Sequence, residues 1–135
     1  NVDAGSDGTS NGIRSYREKK KPKNIHFFKN MEPQDFLVLL KHSKTLIGNS
    51  SVGIRECAYL GVPVVNIGNR QNRRLRAQNV IDVKANKPEI KLAIEQSIER
   101  NNLTSSNIYG NGEAGKKIAD ILAKTELSFS KTITY

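Results

Sequence analysis

The apolar residues of this chain recur at two spacings, which predict strands and helices in alternation. Short, nearly continuous apolar runs are typical of strands in a parallel sheet that is covered on both faces. Such runs predict strands at residues 24–28, 45–48, 62–68 and 79–83. Apolar residues three or four positions apart predict helices instead. They predict helices over 6–19, from Pro33 onward, over 52–60, from Asn86 onward, and from about Glu113 to Lys124.

Several of these helices carry a terminal signal or an apolar face. Gly61 follows the helix over 52–60, and its missing Cβ suits a left-handed C-cap. Asn86 is expected to cap the helix that it opens. The predicted apolar faces are Phe36, Leu37, Leu39 and Leu40 after Pro33; Ile90, Ala93, Ile94 and Ile98 after Asn86; and Ile118, Ile121 and Leu122, expected to face inward, in the last helix.

The alternation of strand and helix predicts the fold class, which is α/β with a parallel sheet and helices on both of its faces. In open parallel sheets, ligands bind at the carboxyl ends of the strands. The loops that leave the predicted strands are therefore where binding residues are expected.

One of these loops, at residues 48–51, has the features of an anion site. The first amides of the following helix are unpaired and its dipole is positive there, while Ser50 and Ser51 add hydroxyl donors. Glu56 lies about 7 Å further along a helix, roughly the separation between the diphosphate and the ribose diol of one nucleotide. Its carboxylate can accept hydrogen bonds from both ribose hydroxyls. The residues alone leave open a nucleotide site or an ordinary serine cap with a solvated Glu56.

The loop after the 62–68 strand is rich in arginine. It contains Arg70, Arg73, Arg74 and Arg76. Since this loop also leaves the carboxyl end of a strand, at least one guanidinium could reach the same anion, and its fork suits phosphate. The alternative is that these arginines are solvated surface charges.

Charge and composition narrow the class of protein. The 135 residues suit one domain with a core of modest size. A net charge of +9, from 22 Lys and Arg against 13 Asp and Glu, favours anionic partners. A basic nucleic-acid-binding module is the non-enzyme alternative. It ranks low because the aromatic content is only 6% and no stacking platform or recognition helix is visible, so no nucleic acid is expected.

The few cysteines and histidines argue against several kinds of site. Cys57 is the single cysteine, so no internal disulfide can form. His26 and His42 lie in unrelated contexts, and we interpret both as structural. We expect no metal, no cofactor and no Ser-His-Asp triad. No apolar run approaches a membrane span and no signal-like start is present, so we expect a cytoplasmic protein that contacts no membrane.

The stretch 47–83 resembles the C-terminal nucleotide-binding domain of UDP-N-acetylglucosamine 2-epimerases. The resemblance is strongest to the hydrolysing branch, which reads Gly-Asn-Ser-Ser and then Gly-x-Arg-Gln, as residues 48–51 and 68–71 do here. It extends over nearly all of residues 1–124, through NVDAGSDG, EPQDFLVLLKHS and NIYGNGEAGKKI. One departure is Arg73, which stands where the family usually has glycine.

This resemblance implies two Rossmann-like domains facing a cleft, as in B-type glycosyltransferases. Residues 1–124 would form the UDP-binding C-terminal half and 125–135 a tail, with a first strand and an N-terminal domain expected upstream. The intact enzyme is expected to be a homo-oligomer. Because the N-terminal domain is expected to lie outside this chain, Leu127 and Phe129 are expected to be exposed or to be buried in a self-association contact.

The resemblance also implies a set of substrate-binding residues. These are Asn1, Met31, Phe36, Ser50, Ser51, Glu56 and Arg70. The two serines would hold the diphosphate, Glu56 the ribose, and Arg70 would lie in the nucleotide site. Asn1 would lie close to the uridine, and the segment around Met31 and Phe36 would flank the uracil.

The implied reaction eliminates UDP to leave a 2,3-unsaturated sugar, to which water is added with release of N-acetylmannosamine. The acid and base groups that this reaction needs lie upstream in the family, so no catalytic residue is expected in this chain. Two enzyme alternatives stay open. One is an epimerase acting on a diacetylated UDP-sugar, and the other is the donor domain of a B-type glycosyltransferase.

Overall fold

The computed structural model describes residues 6–100 and 103–126. The chain divides into two compact units, Asn1–Pro33 and Gln34–Tyr135. The first unit contains helix α1 (Ser6–Lys20), which confirms the helix predicted over 6–19. Asp7 in its first turn and Lys19 and Lys20 in its last complement the helix dipole. The predicted single domain over residues 1–124 stays a prediction.

The apolar run at 24–28 does not form the predicted strand. Ile25, Phe27 and Phe28 are exposed, and the Arg17 guanidinium lies 5.8 Å from the centroid of the Phe27 ring. A strand needs a neighbour to pair with its amide and carbonyl groups. The described residues of the first unit supply no such neighbour, so the prediction was wrong.

The second unit contains a three-stranded parallel sheet in the order β1-β2-β3. Its register sets Leu46 beside Val64, and Val64 beside Val80. From Pro33 onward, the elements in chain order are α2 (Pro33–Lys41), β1 (Leu46–Gly48), α3 (Ser51–Ile54), α4 (Glu56–Leu60), β2 (Val64–Ile67), β3 (Val80–Val83), α5 (Lys87–Glu99) and α6 (Ala114–Lys124). The predicted strands at 45–48, 62–68 and 79–83 are confirmed, as is the α/β, Rossmann-like fold class.

Helices cover both faces of the central strand. Val64 is 2% exposed and its neighbour Val65 is 0% exposed, although successive strand residues point to opposite faces. On the Val64 face lies a core of Leu40, Cys57 and Val62, with Phe36 packed against it. Helix α5 packs on β2 and β3. The core therefore holds β2 centrally, with its carboxyl end leading into the arginine-rich loop.

The two predicted helix caps are confirmed. Gly61 ends α4 with φ 68° and ψ 26°, which is the left-handed conformation. A Cβ at this position would clash with the Leu103 carbonyl oxygen. At the start of α5, the side-chain oxygen of Asn86 accepts from the Glu89 amide over 3.0 Å. The Glu89 carboxylate accepts from the Asn86 side-chain amide over 2.7 Å.

The helix predicted over 52–60 consists of two short helices that meet at Arg55, which caps the end of α3 and the start of α4. Gly53 in α3 allows a close approach to the sheet, since a Cβ there would lie 2.8 Å from Val64 Cγ1. The two helices thus follow the carboxyl end of β1, and α3 packs closely against β2 at Gly53.

The apolar face of α6 is not turned inward as predicted. Ile118, Ile121 and Leu122 are 57%, 62% and 56% exposed. Their spacing places them on one face, but no described element packs closely over that face, so the inward prediction was wrong. Leu127 and Phe129 lie outside the described residues. Among the helices described, none has the length and apolarity to cross a membrane.

Candidate functional site

The loop between β1 and α3 presents Ser50 as a helix cap. Ser50 has extended backbone angles, and its hydroxyl oxygen accepts from the Val52 amide over 3.3 Å. Its carbonyl accepts from the Gly53 amide over 3.2 Å. Ser51 is half-buried at the first position of the four-residue α3. Because a single turn carries only a small dipole, an anion at this loop would need donors from elsewhere.

The arginine-rich loop brings such donors to the serine loop. Arg70 Nη1 donates to the Asn49 carbonyl oxygen over 3.1 Å. Gln71 Nε2 donates to the same oxygen over 2.7 Å, and Gln71 is 1% exposed. These bonds join the carboxyl ends of β1 and β2. The structure therefore places the exposed Arg70 beside the loop that carries Ser50 and Ser51, as the parallel topology led us to expect.

The other arginines of this loop have different surroundings. Arg73 has φ 65°, the left-handed conformation that favours glycine, at the position where the resembling family usually has glycine. Arg76 donates to the Asp82 carboxylate over 3.0 Å and to the Arg74 carbonyl over 2.8 Å. Arg76 therefore anchors the loop to β3. Residue 73 keeps a glycine-like backbone conformation although it is an arginine.

Asp82 and Asn66 are polar residues within the sheet that the sequence did not single out. The buried Asn66 donates to Asp82 Oδ1 over 2.6 Å, linking β2 to β3. Together with Arg76, these side chains form a network that fixes the base of the arginine-rich loop. Gln71 was missed in the same way, because a polar residue in a loop gives no pattern from which burial can be predicted.

Glu56 lies on the wall of a pocket of about 460 Å³. Its Oε2 atom is buried and has no hydrogen-bond partner within the described part of the chain. Residues of the segment 106–112 also line this pocket. The residues that line this pocket include Leu37, Glu56, Tyr59, Tyr109, Gly110 and Gly112. A carboxylate in the lining of a pocket of this size is suited to accept hydrogen bonds from a bound molecule.

The predicted binding residues fall into separate groups. Ser50, Ser51 and Arg70 lie on the two loops that the Asn49 carbonyl joins, while Glu56 lines the pocket, which those three residues do not line. Phe36 is half-buried and packs against the core cluster of Leu40 and Cys57.

Two residues of the predicted set remain. Met31 is half-buried in the first unit. Asn1 lies outside the described residues. The binding role of each residue in the predicted set stays a prediction.

Cys57 follows Glu56 directly and is fully buried, as its interpretation as a small core residue requires. Burial raises the pKa of the Cys57 thiol to about 12, and the negative charge of Glu56 adds to the rise. The thiol is therefore neutral at physiological pH. A neutral, buried thiol is a poor nucleophile.

Comparisons with known proteins show which family and which relatives the chain is similar to. A family model described as UDP-N-acetylglucosamine 2-epimerase matches residues 4–123. The chain is 33% identical over 99 residues to the "UDP-N,N'-diacetylbacillosamine 2-epimerase (hydrolyzing)" of Legionella pneumophila, covering 73% of this chain and 26% of that protein. It is 43% identical over 74 residues to the "GDP/UDP-N,N'-diacetylbacillosamine 2-epimerase (hydrolyzing)" of Campylobacter jejuni, covering 55% and 19%.

A third relative carries the name of the family itself. The chain is 29% identical over 129 residues to the "UDP-N-acetylglucosamine 2-epimerase" of Neisseria meningitidis serogroup B, covering 93% of this chain and 33% of that protein. The chain thus spans between 19% and 33% of the length of these three relatives.

Proposed function

This chain belongs to the UDP-N-acetylglucosamine 2-epimerase family, and we propose that it is the UDP-binding portion of a hydrolysing member of that family. The proposed reaction of the whole enzyme eliminates UDP from the sugar and adds water to give N-acetylmannosamine. In this proposal the chain binds UDP, and the acid and base groups belong to another part of the enzyme, the N-terminal half of a B-type glycosyltransferase-like fold. The cytoplasmic location and the homo-oligomeric state of the enzyme stay predictions.

The observation that carries this proposal is the junction of the two loops at the Asn49 carbonyl oxygen. Since Arg70 and Gln71 both donate to that oxygen, the guanidinium is held against the loop that carries Ser50 and Ser51. Hydroxyl donors and a guanidinium together suit a diphosphate, whose oxygens accept several hydrogen bonds at once. The net charge of +9 favours the approach of such an anion.

Glu56 supports the nucleotide half of the proposal. Its carboxylate contributes to the lining of the pocket and can accept a hydrogen bond from a bound molecule. We propose that the ribose hydroxyls of UDP supply that hydrogen bond. Placed five residues after Ser51, Glu56 would then hold the ribose while the serines hold the diphosphate. Met31, Phe36 and Asn1 are proposed to lie near the uracil and the uridine.

A second candidate differs only in the sugar. Two relatives at 33% and 43% identity are named as diacetylbacillosamine 2-epimerases, which favours a diacetylated UDP-sugar as the alternative substrate. Both substrates would present the same UDP to this chain. The residues argued above therefore serve either candidate.

Incubating the intact enzyme separately with UDP-N-acetylglucosamine and with the diacetylated UDP-sugar tests both candidates. The proposal predicts release of UDP and of a free sugar inverted at carbon 2, which mass spectrometry and proton NMR detect. The substrate that is turned over identifies the sugar. Release of neither UDP nor a free sugar from either substrate would contradict the proposed function.

A further inference from the structure

We propose that the segment 106–112 forms the second wall of the nucleoside pocket, and that Tyr109 is the positioning residue that holds this wall in place. The inference rests on the proposed function, because it adds residues to the pocket that contains Glu56. The segment and Glu56 come from distant parts of the sequence but line the same pocket of about 460 Å³.

Hydrogen bonds fix the segment at two points. The Ser106 amide donates to the Ala58 carbonyl over 2.9 Å, which attaches the start of the segment to α4, the helix that Glu56 begins. The Tyr109 hydroxyl donates to the Leu75 carbonyl over 2.9 Å. That second bond attaches the middle of the segment to the arginine-rich loop. Tyr109 therefore links the pocket wall to the loop that carries Arg70.

The two glycines of the wall are required by their backbone conformation. Gly110 has φ 106° and Gly112 has φ 90°, values that L side chains rarely adopt. A Cβ at either position would meet nothing within 4 Å, so the absence of a side chain is not needed for packing against the protein. The space beside the backbone of both glycines is open.

These features fit one wall of a nucleoside site. Glu56 contributes a carboxylate to the lining of the pocket. Tyr109, Gly110 and Gly112 line the same pocket, and a Cβ on either glycine would meet nothing within 4 Å. A ribose that donates its hydroxyls to Glu56 would contact this backbone with the rest of its surface. We therefore assign the segment to the ribose and the base, and not to the diphosphate.

The first test maps the wall directly by NMR, with the isotope-labelled chain titrated with UDP. The inference predicts that UDP shifts the amides of Gly110, Asn111 and Gly112 together with that of Glu56. Shifts at Glu56 without shifts at 110–112 would overturn the inference and leave the proposed function standing. Shifts at 110–112 without shifts at Ser50 and Ser51 would support the wall but contradict the diphosphate site. No shift anywhere would contradict both.

The second test separates positioning from folding. Tyr109→Phe removes the hydrogen bond to Leu75 and should weaken UDP binding about three- to tenfold, the usual effect of one hydrogen bond. Binding of inorganic pyrophosphate, which lacks a nucleoside, should not change. Tyr16→Phe, at an exposed tyrosine of α1 in the first unit, is the matched control and should leave UDP binding unchanged. Equal losses for UDP and pyrophosphate in Tyr109→Phe would overturn the inference, because they would show that Tyr109 acts on the arginine-rich loop or on the whole fold and not on the nucleoside wall.

Discussion

The side-chain amide of Gln71 donates to the carbonyl oxygen of Asn49 over 2.7 Å and so joins the loops that leave β1 and β2. Gln71 is 1% exposed, although it lies in a loop among exposed arginines. Its burial means that the relative position of the two loops is fixed within the protein before any ligand binds. A site arranged in this way loses little conformational freedom on binding.

Gln71→Leu should lower the free energy of unfolding by no more than about 1 kcal/mol. One buried hydrogen bond is lost, but so is Gln71 Oε1, a buried oxygen without a partner among the described residues. The substitution should also weaken UDP binding, since Arg70 alone would hold the loops together. Urea unfolding and calorimetry measure the two effects. Gln78→Leu, at an exposed glutamine further along the same loop, is the control. Equal effects of the two substitutions would contradict the role assigned to Gln71.

Arg73→Gly should raise the free energy of unfolding by up to about 1 kcal/mol. A residue with a side chain costs roughly 1–2 kcal/mol in the left-handed region, and glycine removes this cost. Part of the gain is lost because glycine makes the unfolded chain more flexible. Arg73 has φ 65°, whereas the neighbouring Arg74 is not among the residues with positive φ. Arg74→Gly should therefore destabilise the protein. Thermal unfolding distinguishes the pair, and a loss of stability in Arg73→Gly would show that the loop does not adopt this conformation in solution.

Gly61→Ala should be more destabilising than Gly68→Ala. Both glycines have a left-handed backbone, with φ 68° and 78°, so both substitutions carry a conformational cost of about 1–2 kcal/mol. Only at Gly61 would the new Cβ also approach the Leu103 carbonyl oxygen, while at Gly68 it would meet nothing within 4 Å. Chemical denaturation of the two variants gives the difference. Equal losses would mean that the chain around Leu103 moves away without cost.

The stability of the protein should fall above pH 9 in part through Cys57. The pKa of its thiol is raised in the folded state from 9.0 to about 12, chiefly by burial. Below pH 9 the thiol is protonated in both states, so this contribution is fully present. Between pH 9 and 12 only the unfolded state releases the proton, and stability is lost as the pH rises.

Comparing Cys57→Ala with the unmodified chain isolates this effect from lysine and tyrosine titration. The variant should be less stable at pH 7 because a buried side chain is truncated, but its stability should decline less steeply between pH 9 and 12. Urea unfolding at a series of pH values measures both slopes. Identical slopes would show that Cys57 is accessible to solvent in the folded protein.

The elements that the sequence predicted well are those whose signals are local. The run around Val64 and Val65 reads as a strand covered on both faces, and Gly61 and Asn86 mark helix ends by their own backbone or side-chain chemistry. The strand at 24–28 and the inward face of α6 failed for a shared reason. Apolar spacing shows that a segment could be covered or paired, but the partner that decides the outcome is distant in sequence.

The candidate site shows the same contrast between residues with local signals and residues whose role depends on a distant partner. The serines, Glu56 and the arginine-rich loop were recognisable because residue types with evident chemistry follow predicted strands. Gln71 was not, because its role depends on the Asn49 carbonyl 22 residues earlier. The pocket wall formed by Tyr109 and the two glycines was missed because Leu75 and Ala58, to which it is attached, precede it by long stretches of chain.

The most direct test of UDP binding is a calorimetric titration of this chain with UDP, UMP and ADP. Glu56→Ala and Ser51→Ala test the ribose and diphosphate contacts. Glu95→Ala, at an exposed glutamate of α5, is the control.

We predict that UDP binds more tightly than UMP or ADP. Glu56→Ala should weaken UDP binding by about tenfold or more, since a hydrogen bond to a charged group is lost, while Glu95→Ala changes nothing. Equal binding of the three nucleotides, or binding confined to low salt, would contradict the proposed site.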